Sequence, residues 1–242
     1  MPTVLLTRPL ADSRRLADAL EPDGIDTLIW PLAKIRPVTP PAPVPPGIQG
    51  LLITSAHGIR AFAASDARRD LPVLCVGARS AEVARSLGFG MVLSANGDAA
   101  SLARLAPGTG IRHFLYPRGR EITHDLAAAL STGGQKVTDR IVYAADAGGP
   151  PSAPVQSALV TGRIDVITLW SARHAGLFAA WITKTGQDVS RRATLVAISE
   201  RTVDPLRDLG FGQIRIADAP DAAKMLSAIR NTCEAEPPGA DF

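Results

Sequence analysis

The sequence has few cysteines and histidines and lacks a long apolar run, and each shortage excludes a class of protein. Only 2 of its 242 residues are cysteine, too few for a disulfide framework and without the spacing of a metal site. The four histidines form no ligand motif such as HExxH. No apolar run approaches the roughly 20 residues that a membrane span needs. We therefore expect reduced thiols, no metal and no membrane partner.

Several signatures of common enzymes and binding proteins are also missing. There is no GxGxxG after the first predicted strand, no phosphate-binding P-loop and no GxSxG nucleophile motif. The net charge is only +3, and the sequence shows lysines and arginines singly or in pairs rather than in stripes with aromatics. This pattern argues against a nucleic-acid partner and slightly favours an acidic ligand. The first residues lack the charged lead and apolar segment of a signal peptide, so we expect a cytoplasmic protein.

What the sequence does contain is an internal repeat. Residues 74–90 read LCVGARSAEVARSLGFG, and 122 positions later residues 196–212 read VAISERTVDPLRDLGFG. Both copies end in LGFG, and Ser80 in the first corresponds to Thr202 in the second. Each copy is typical of an apolar strand, a turn, an amphipathic helix and a further strand. The repeat predicts two related α/β units.

The rest of the chain continues to alternate short apolar strands with helices, a pattern typical of parallel sheets with right-handed crossovers. We predict an α/β fold of two similar domains, each a parallel sheet flanked by helices in a flavodoxin- or Rossmann-like manner. The C-terminal copy has too few strands and the N-terminal segment can supply them, so one domain is expected to be discontinuous. The expected domains are residues 1–35 plus 148–242 for the discontinuous one and 38–143 for the inserted one.

Two extended linkers are expected to join these domains, at about residues 36–47 and 144–154. Residues 37–47 contain six prolines in eleven positions, and proline so dense cannot occupy a helix or a central strand. Residues 234–242 are expected to form a disordered tail.

Ligands of parallel α/β sheets bind beyond the carboxyl ends of the strands, beside helix N-termini. Serine and threonine at such places are also preferred helix N-caps, and for any single residue capping is the simpler interpretation. Matching turns in both domains nevertheless suggest a two-sided anion-binding cleft of main-chain amides. The rule selects six short turns, most of them small or hydroxylic: residues 7–8, 54–56, 77–80, 116–120, 171–172 and 199–202.

Six segments occur in order along the chain: VLLTRP, LLITSAHGIRAF, VLCVGARSAEVARSLGF, GREITHDLAAAL, DVITLWSARHAGLF and LVAISERTVDPLRDLGF. In their order and spacing they resemble the uroporphyrinogen-III synthase family over almost the whole chain. The resemblance implies a monomeric, cofactor-free, two-domain lyase of tetrapyrrole biosynthesis. Such an enzyme cyclises hydroxymethylbilane, a polycarboxylate, to uroporphyrinogen III with loss of water and inversion of ring D. The substrate also cyclises unaided to the wrong isomer, so the implied task is largely conformational.

The resemblance also implies roles for individual residues. Tyr143 matches the family's tyrosine at a strand end and is the implied catalytic residue, assisting departure of the substrate hydroxyl. Ser199 stands where the family usually has glycine. The implied substrate-binding residues, acting through side chains or neighbouring amides, are Arg8, Thr54, Ser55, Ala56, Ser80, Ser171, Ala172 and Thr202.

A second class of function stays open at this point. A non-catalytic two-domain binding or sensory protein for an acidic ligand could share the same fold, because fold does not fix function. Retention of Tyr143 and of the hydroxylic turns favours the enzyme.

Overall fold

The computed structural model describes residues 1–38, 43–122, 125–131, 133–186 and 193–235. The chain divides into two compact units: the terminal unit, Met1–Lys34 with Ala147–Phe242, and the inserted unit, Ile35–Asp146. In chain order the elements are β1 (Thr3–Leu6), α1 (Leu10–Leu20), β2 (Asp26–Ile29), β3 (Ala33–Pro37), β4 (Gly50–Ile53), α2 (Ala56–Ser65), β5 (Val73–Cys75), α3 (Ala78–Ser86), β6 (Val92–Ser94), α4 (Ala99–Leu105), β7 (His113–Gly119), α5 (Leu126–Ser131), β8 (Lys136–Ala147), α6 (Ala153–Val160), β9 (Val166–Leu169), α7 (Ala172–Thr185), β10 (Thr194–Ala197), α8 (Glu200–Val203), β11 (Ile214–Ile216) and α9 (Ala222–Glu234).

The sheet of the terminal unit has the strand order β11-β10-β9-β1-β2, and all its pairs are parallel. The first strand of the chain therefore lies beside a strand that begins more than 160 residues later. Two buried threonines join these neighbours, because Thr7 Oγ1 donates to the carbonyl of Thr168 and Thr168 Oγ1 donates to the carbonyl of Leu5 at 2.9 Å. The pairing gives two buried hydroxyls the partners they require in the core.

Both faces of the terminal sheet are covered, as expected for parallel strands. Along β1, Leu5 faces a core that contains Trp30 and Phe178, whereas Val4 and Leu6 face a core on the opposite side. The side-chain period of two residues produces this division. The predicted α/β class, with parallel sheets flanked by helices, is confirmed.

The sheet of the inserted unit has the order β3-β8-β7-β4-β5-β6. The pairs among β4, β5, β6, β7 and β8 are parallel. Beside β3 the amide of Val38 donates to the carbonyl of Val142 at 3.0 Å. The amide of Gly148 donates to the carbonyl of Leu32 at 2.7 Å. Residue numbers rise on one segment as they fall on the other, so these segments run antiparallel.

This pairing gives strand structure to the start of each expected linker, whereas residues 43–47 and 148–152 contain no helix or strand. Residues 36–37 and 144–147 belong to strands, and Arg36 and Asp146 form an ion pair at 2.7 Å across them. An edge strand tolerates proline at its end, where the missing N–H is not needed by a neighbour. Pro37 is the last residue of the edge strand β3. The prolines at residues 40 and 41 lie outside the described residues.

Two further elements differ from the sequence-based expectation. The amphipathic helix expected in the second copy of the repeat is α-helical only to Val203 and continues as a 3₁₀ helix over Asp204–Leu209, because Pro205 has no N–H to donate within an α-helix. The expected tail begins at Glu234, which is the last residue of α9, and residues 236–242 lie outside the described residues. None of the described helices is both long enough and apolar enough to cross a membrane.

Gly58 provides a test of the packing between α2 and β7. A methyl group at this position would lie 2.5 Å from the carbonyl oxygen of Pro117. We expect Gly58→Ala to lower the free energy of unfolding by about 1–2 kcal/mol, because overpacking outweighs the gain of alanine in a helix. Chemical denaturation measures the loss. Gly90→Ala is the control, since a methyl group there meets nothing within 4 Å, and an equal loss in the control would contradict the steric explanation.

Candidate functional site

Arg8, Ser171, Ala172 and Thr202 lie at one edge of the terminal sheet. Arg8 follows β1 by two residues, Ser171 and Ala172 follow β9, and Thr202 lies in the first turn after β10. The three strands are neighbours in the order β10-β9-β1 and run parallel, so their carboxyl ends share an edge. The structure therefore brings the four predicted residues of this unit to the place where parallel sheets bind ligands.

Ser55 and Ser171 are both helix N-caps. The amide of His57 donates to Ser55 Oγ at 3.2 Å, and the amide of His174 donates to Ser171 Oγ at 3.1 Å. Capping uses an acceptor lone pair of each hydroxyl and leaves its O–H as a donor. A serine at these positions can therefore stabilise its helix and still donate to an anion, so capping and ligand binding are compatible.

The guanidinium of Arg8 is held by two neighbours. Its Nη2 donates to Asp12 Oδ2 at 3.2 Å, and its Cζ lies 4.5 Å from the centroid of the Trp170 ring. Asp12 is only 6% exposed and also forms an ion pair with Arg15. The cation–π contact and the ion pair orient the positive charge at the carboxyl end of β1.

Trp170 and His174 are two residues of this edge that the sequence analysis missed. Trp170 is 8% exposed, and neither its Nε1 nor His174 Nδ1 has a hydrogen-bond partner among the described residues. Burial lowers the pKa of His174 to about 4, with Arg8 and Arg173 contributing in the same direction. The imidazole is therefore neutral near pH 7. The only sequence signal was the position of Trp170 directly before Ser171.

Ser80 and Thr202, the equivalent residues of the repeat, are buried. They are 8% and 1% exposed, respectively. Thr202 Oγ1 lies 3.1 Å from Ser199 Oγ, so each hydroxyl of this turn has a partner. The part of these turns that remains available to a ligand is the main chain at the start of α3 and α8.

The inserted unit places its predicted residues at the corresponding edge. Thr54, Ser55 and Ala56 follow β4, and Thr54 Oγ1 lies 2.9 Å from Tyr116 Oη. Burial raises the pKa of Tyr116, and its hydrogen bond with Thr54 acts against this increase. Tyr116 is thus a neutral, buried phenol that fixes the Thr54 hydroxyl.

Tyr143 is half-buried on β8, and it is the Cα partner of Gly119 on β7. Its ring centroid lies 5.8 Å from that of His57, at an interplanar angle of 56°. His57 belongs to the first turn of α2, directly after the Ser55 cap. The structure therefore groups Tyr143 with the turn formed by Thr54, Ser55 and Ala56.

The described residues offer no obvious metal site. They contain no group of three or more histidine, cysteine, aspartate or glutamate side chains that could hold a metal ion. Both cysteines are unpaired. Burial raises the pKa of the Cys75 thiol to about 12 and that of Cys233 to about 11, so neither is a thiolate at neutral pH.

The neutral state of His174 predicts a pH dependence of stability. Its pKa is about 4 in the folded chain against 6.5 for the free group, so the unfolded state binds more protons between these values. The free energy of unfolding should therefore fall as the pH decreases from about 6.5 to 4, by up to about 3 kcal/mol. Denaturation of wild type and His174→Asn at several pH values measures this, and the variant should show a shallower slope. A histidine NMR resonance assigned to His174 that titrates near 6.5 would contradict the expectation.

Comparisons with known proteins identify the family. The family model described as uroporphyrinogen-III synthase HemD matches residues 14–227. A uroporphyrinogen-III synthetase structure from Helicobacter pylori has a TM-score of 0.61 at 17% identity, covering 95% of this chain and 98% of that one. A mutant uroporphyrinogen III synthase from Thermus thermophilus has a TM-score of 0.52 at 17% identity, covering 97% of this chain and 99% of that one. No curated relative matches the chain in sequence. The chain belongs to the uroporphyrinogen-III synthase family and is a cyclising lyase of tetrapyrrole biosynthesis.

Proposed function

We propose that this chain converts hydroxymethylbilane to uroporphyrinogen III through the residues grouped at the carboxyl edges of its two sheets. The observation that carries the proposal is the family match over residues 14–227. The same match favours the enzyme over a non-catalytic binding protein. The enzyme acts as a cytoplasmic monomer whose two units are separate domains, without a cofactor.

The polycarboxylate substrate is bound mainly by neutral donors. Ser55 and Ser171 each keep an O–H donor beside the first amides of α2 and α7. Helix N-termini favour carboxylates because their amides and their dipole face the anion. The turns before α3 and α8 contribute main-chain amides, since the side chains of Ser80 and Thr202 are buried.

Arg8 supplies the positive charge at the terminal edge. Its ion pair with Asp12 and its contact with Trp170 hold the guanidinium in one orientation, so little side-chain entropy is lost when it receives a carboxylate. Asp12 is shared with Arg15, so the guanidinium of Arg8 keeps N–H donors for a carboxylate while it stays in this orientation. Arg8 thus acts in binding rather than in the bond-making steps.

Tyr143 assists the loss of the substrate hydroxyl. The C–O bond of the hydroxymethyl group breaks as the pyrrole nitrogen supplies electrons, and the phenol gives its proton to the departing oxygen, which leaves as water. The pyrrole N–H proton is then lost, which gives the neutral azafulvene and restores the phenol. The azafulvene then closes at a substituted carbon of ring D to form a spiro intermediate, which fragments and recloses with ring D inverted. A phenol with a pKa near 10 is a weak acid at neutral pH, so its contribution is at the lower end of general acid catalysis.

The first experiment is a coupled assay that supplies fresh hydroxymethylbilane and separates the type I and type III products chromatographically after oxidation. The proposal requires an excess of type III over a protein-free control. Type I product alone, from protein shown by circular dichroism to be folded, would contradict the proposed activity. It would favour the alternative of a non-catalytic binding protein for an acidic ligand.

We expect Tyr143→Phe to lower kcat by roughly tenfold or more, with the fold retained, because only the proton donor is removed. The coupled assay gives kcat, and thermal denaturation verifies the fold. Turnover equal to that of wild type would remove Tyr143 from the mechanism without changing the family.

We expect Arg8→Gln to raise KM by about tenfold with little effect on kcat, since a charged hydrogen bond contributes about 1.5–3 kcal/mol. Initial rates at several substrate concentrations separate the two constants. The matched control is Arg163→Gln, an exposed arginine of the same unit that lies before β9, away from its carboxyl end. A similar increase in KM in both variants would indicate a general effect of positive charge rather than a contact between Arg8 and the substrate.

A further inference from the structure

The backbone around Tyr143 has an irregular register that places its side chain. Along the β7–β8 pair, Arg118 is the Cα partner of Ile141, but the next residue, Gly119, is the partner of Tyr143. Val142 is thus an extra residue on β8, as in a β-bulge. The amide of Arg120 donates to the carbonyl of Tyr143 at 3.0 Å and continues the pairing beyond the irregularity. The bulge therefore sets Tyr143, rather than Val142, opposite the glycine.

The ring of Tyr143 lies against the backbone of Gly119. A methyl group at Gly119 would lie 2.9 Å from Tyr143 Cζ, 3.0 Å from Cε2 and 3.1 Å from Oη. Real side chains do not approach so closely, so the ring and any side chain at residue 119 cannot both occupy this space. An aromatic ring that covers a cross-strand glycine is a recognised way to pack a glycine in a sheet.

The need for glycine at residue 119 is steric and not conformational. Gly119 is absent from the residues with positive φ, so its backbone suits any L-amino acid. The atoms that a methyl group would meet are at the far end of the Tyr143 side chain, not in a neighbouring backbone. Alanine at this position would therefore leave the strand in place and displace the phenol.

A second glycine, Gly58, brings the ring of His57 close to the ring of Tyr143. Gly58 allows the first turn of α2 to approach β7, because a side chain there would meet the carbonyl of Pro117. His57, the preceding residue, has its ring 5.8 Å from that of Tyr143. The phenol thus has close neighbours on both α2 and β7.

We propose that Gly119 is a positioning residue of the enzyme: by lacking a side chain, it provides the surface that fixes where the Tyr143 hydroxyl points. The inference rests on the proposed catalytic role of Tyr143 for its effect on turnover. Its structural part, the contact between ring and glycine, is independent of that role. Phenol placement matters because a misplacement of about 1 Å can reduce a rate a hundredfold.

The test uses Gly119→Ala with two readouts. The chain has only two tyrosines, so ring-labelled ¹³C-tyrosine NMR gives two sets of signals, which Tyr143→Phe assigns. In Gly119→Ala, the Tyr143 signals should shift while those of Tyr116 stay within the change seen in the control Gly90→Ala. Unchanged Tyr143 signals in folded Gly119→Ala would overturn the proposal.

Turnover in a double-mutant cycle gives the second readout. Gly119→Ala should lower kcat roughly tenfold, and the double variant with Tyr143→Phe should lie within about twofold of Tyr143→Phe alone, since the two changes act through one hydroxyl. If the double variant loses kcat by the product of the two single fold-losses, the positioning role would be overturned. If the wild type forms no excess of type III product, the proposed function fails. The NMR arm then still decides whether Gly119 places the ring.

Discussion

The pairing of β1 with β9 is the constraint on which the terminal unit depends. β1 lies between β2 and β9, so neither end of the chain can form this sheet without the other. The hydrogen bonds from Thr7 Oγ1 to the carbonyl of Thr168 and from Thr168 Oγ1 to the carbonyl of Leu5 satisfy two buried hydroxyls only when the two segments are in register. The same register sets Arg8 beside the turn of Ser171. A fold requirement and the geometry of the candidate site thus have a common origin.

The two units have matching helix caps outside the repeat of residues 74–90 and 196–212. Ser55 and Ser171 cap α2 and α7, and Asp98 and Asp221 cap α4 and α9 with bonds of 2.8 Å. Local signals of this kind act within one helical turn, so they could be read from the sequence. The strand structure at the start of the two expected linkers has the opposite, non-local origin. Strand β3 exists because β8 offers it a partner more than 100 residues away, and proline content alone does not reveal that partner.

The residues of the candidate site could be predicted from the sequence where the strand before each of them could be predicted. Arg8, Ser55 and Ser171 follow from the rule that ligands bind at carboxyl ends of strands. The burial of Trp170 could not be foreseen, because it depends on how Arg8 and the core of the terminal unit enclose the ring. The contact of Tyr143 with Gly119 depends on one extra residue in β8. Nothing in the local pattern of the strand indicates such an irregularity.

An enzyme that relies on weak chemical groups depends strongly on where they are placed. In the proposed reaction the substrate also cyclises unaided, so the task of the protein is to favour one route rather than to supply a strong acid or base. A phenol and a set of neutral donors are adequate for this only when they are held in a fixed geometry. At Tyr143 that geometry comes from a bulge and a glycine. A position without a side chain can therefore be as necessary to the reaction as the side chain that faces it.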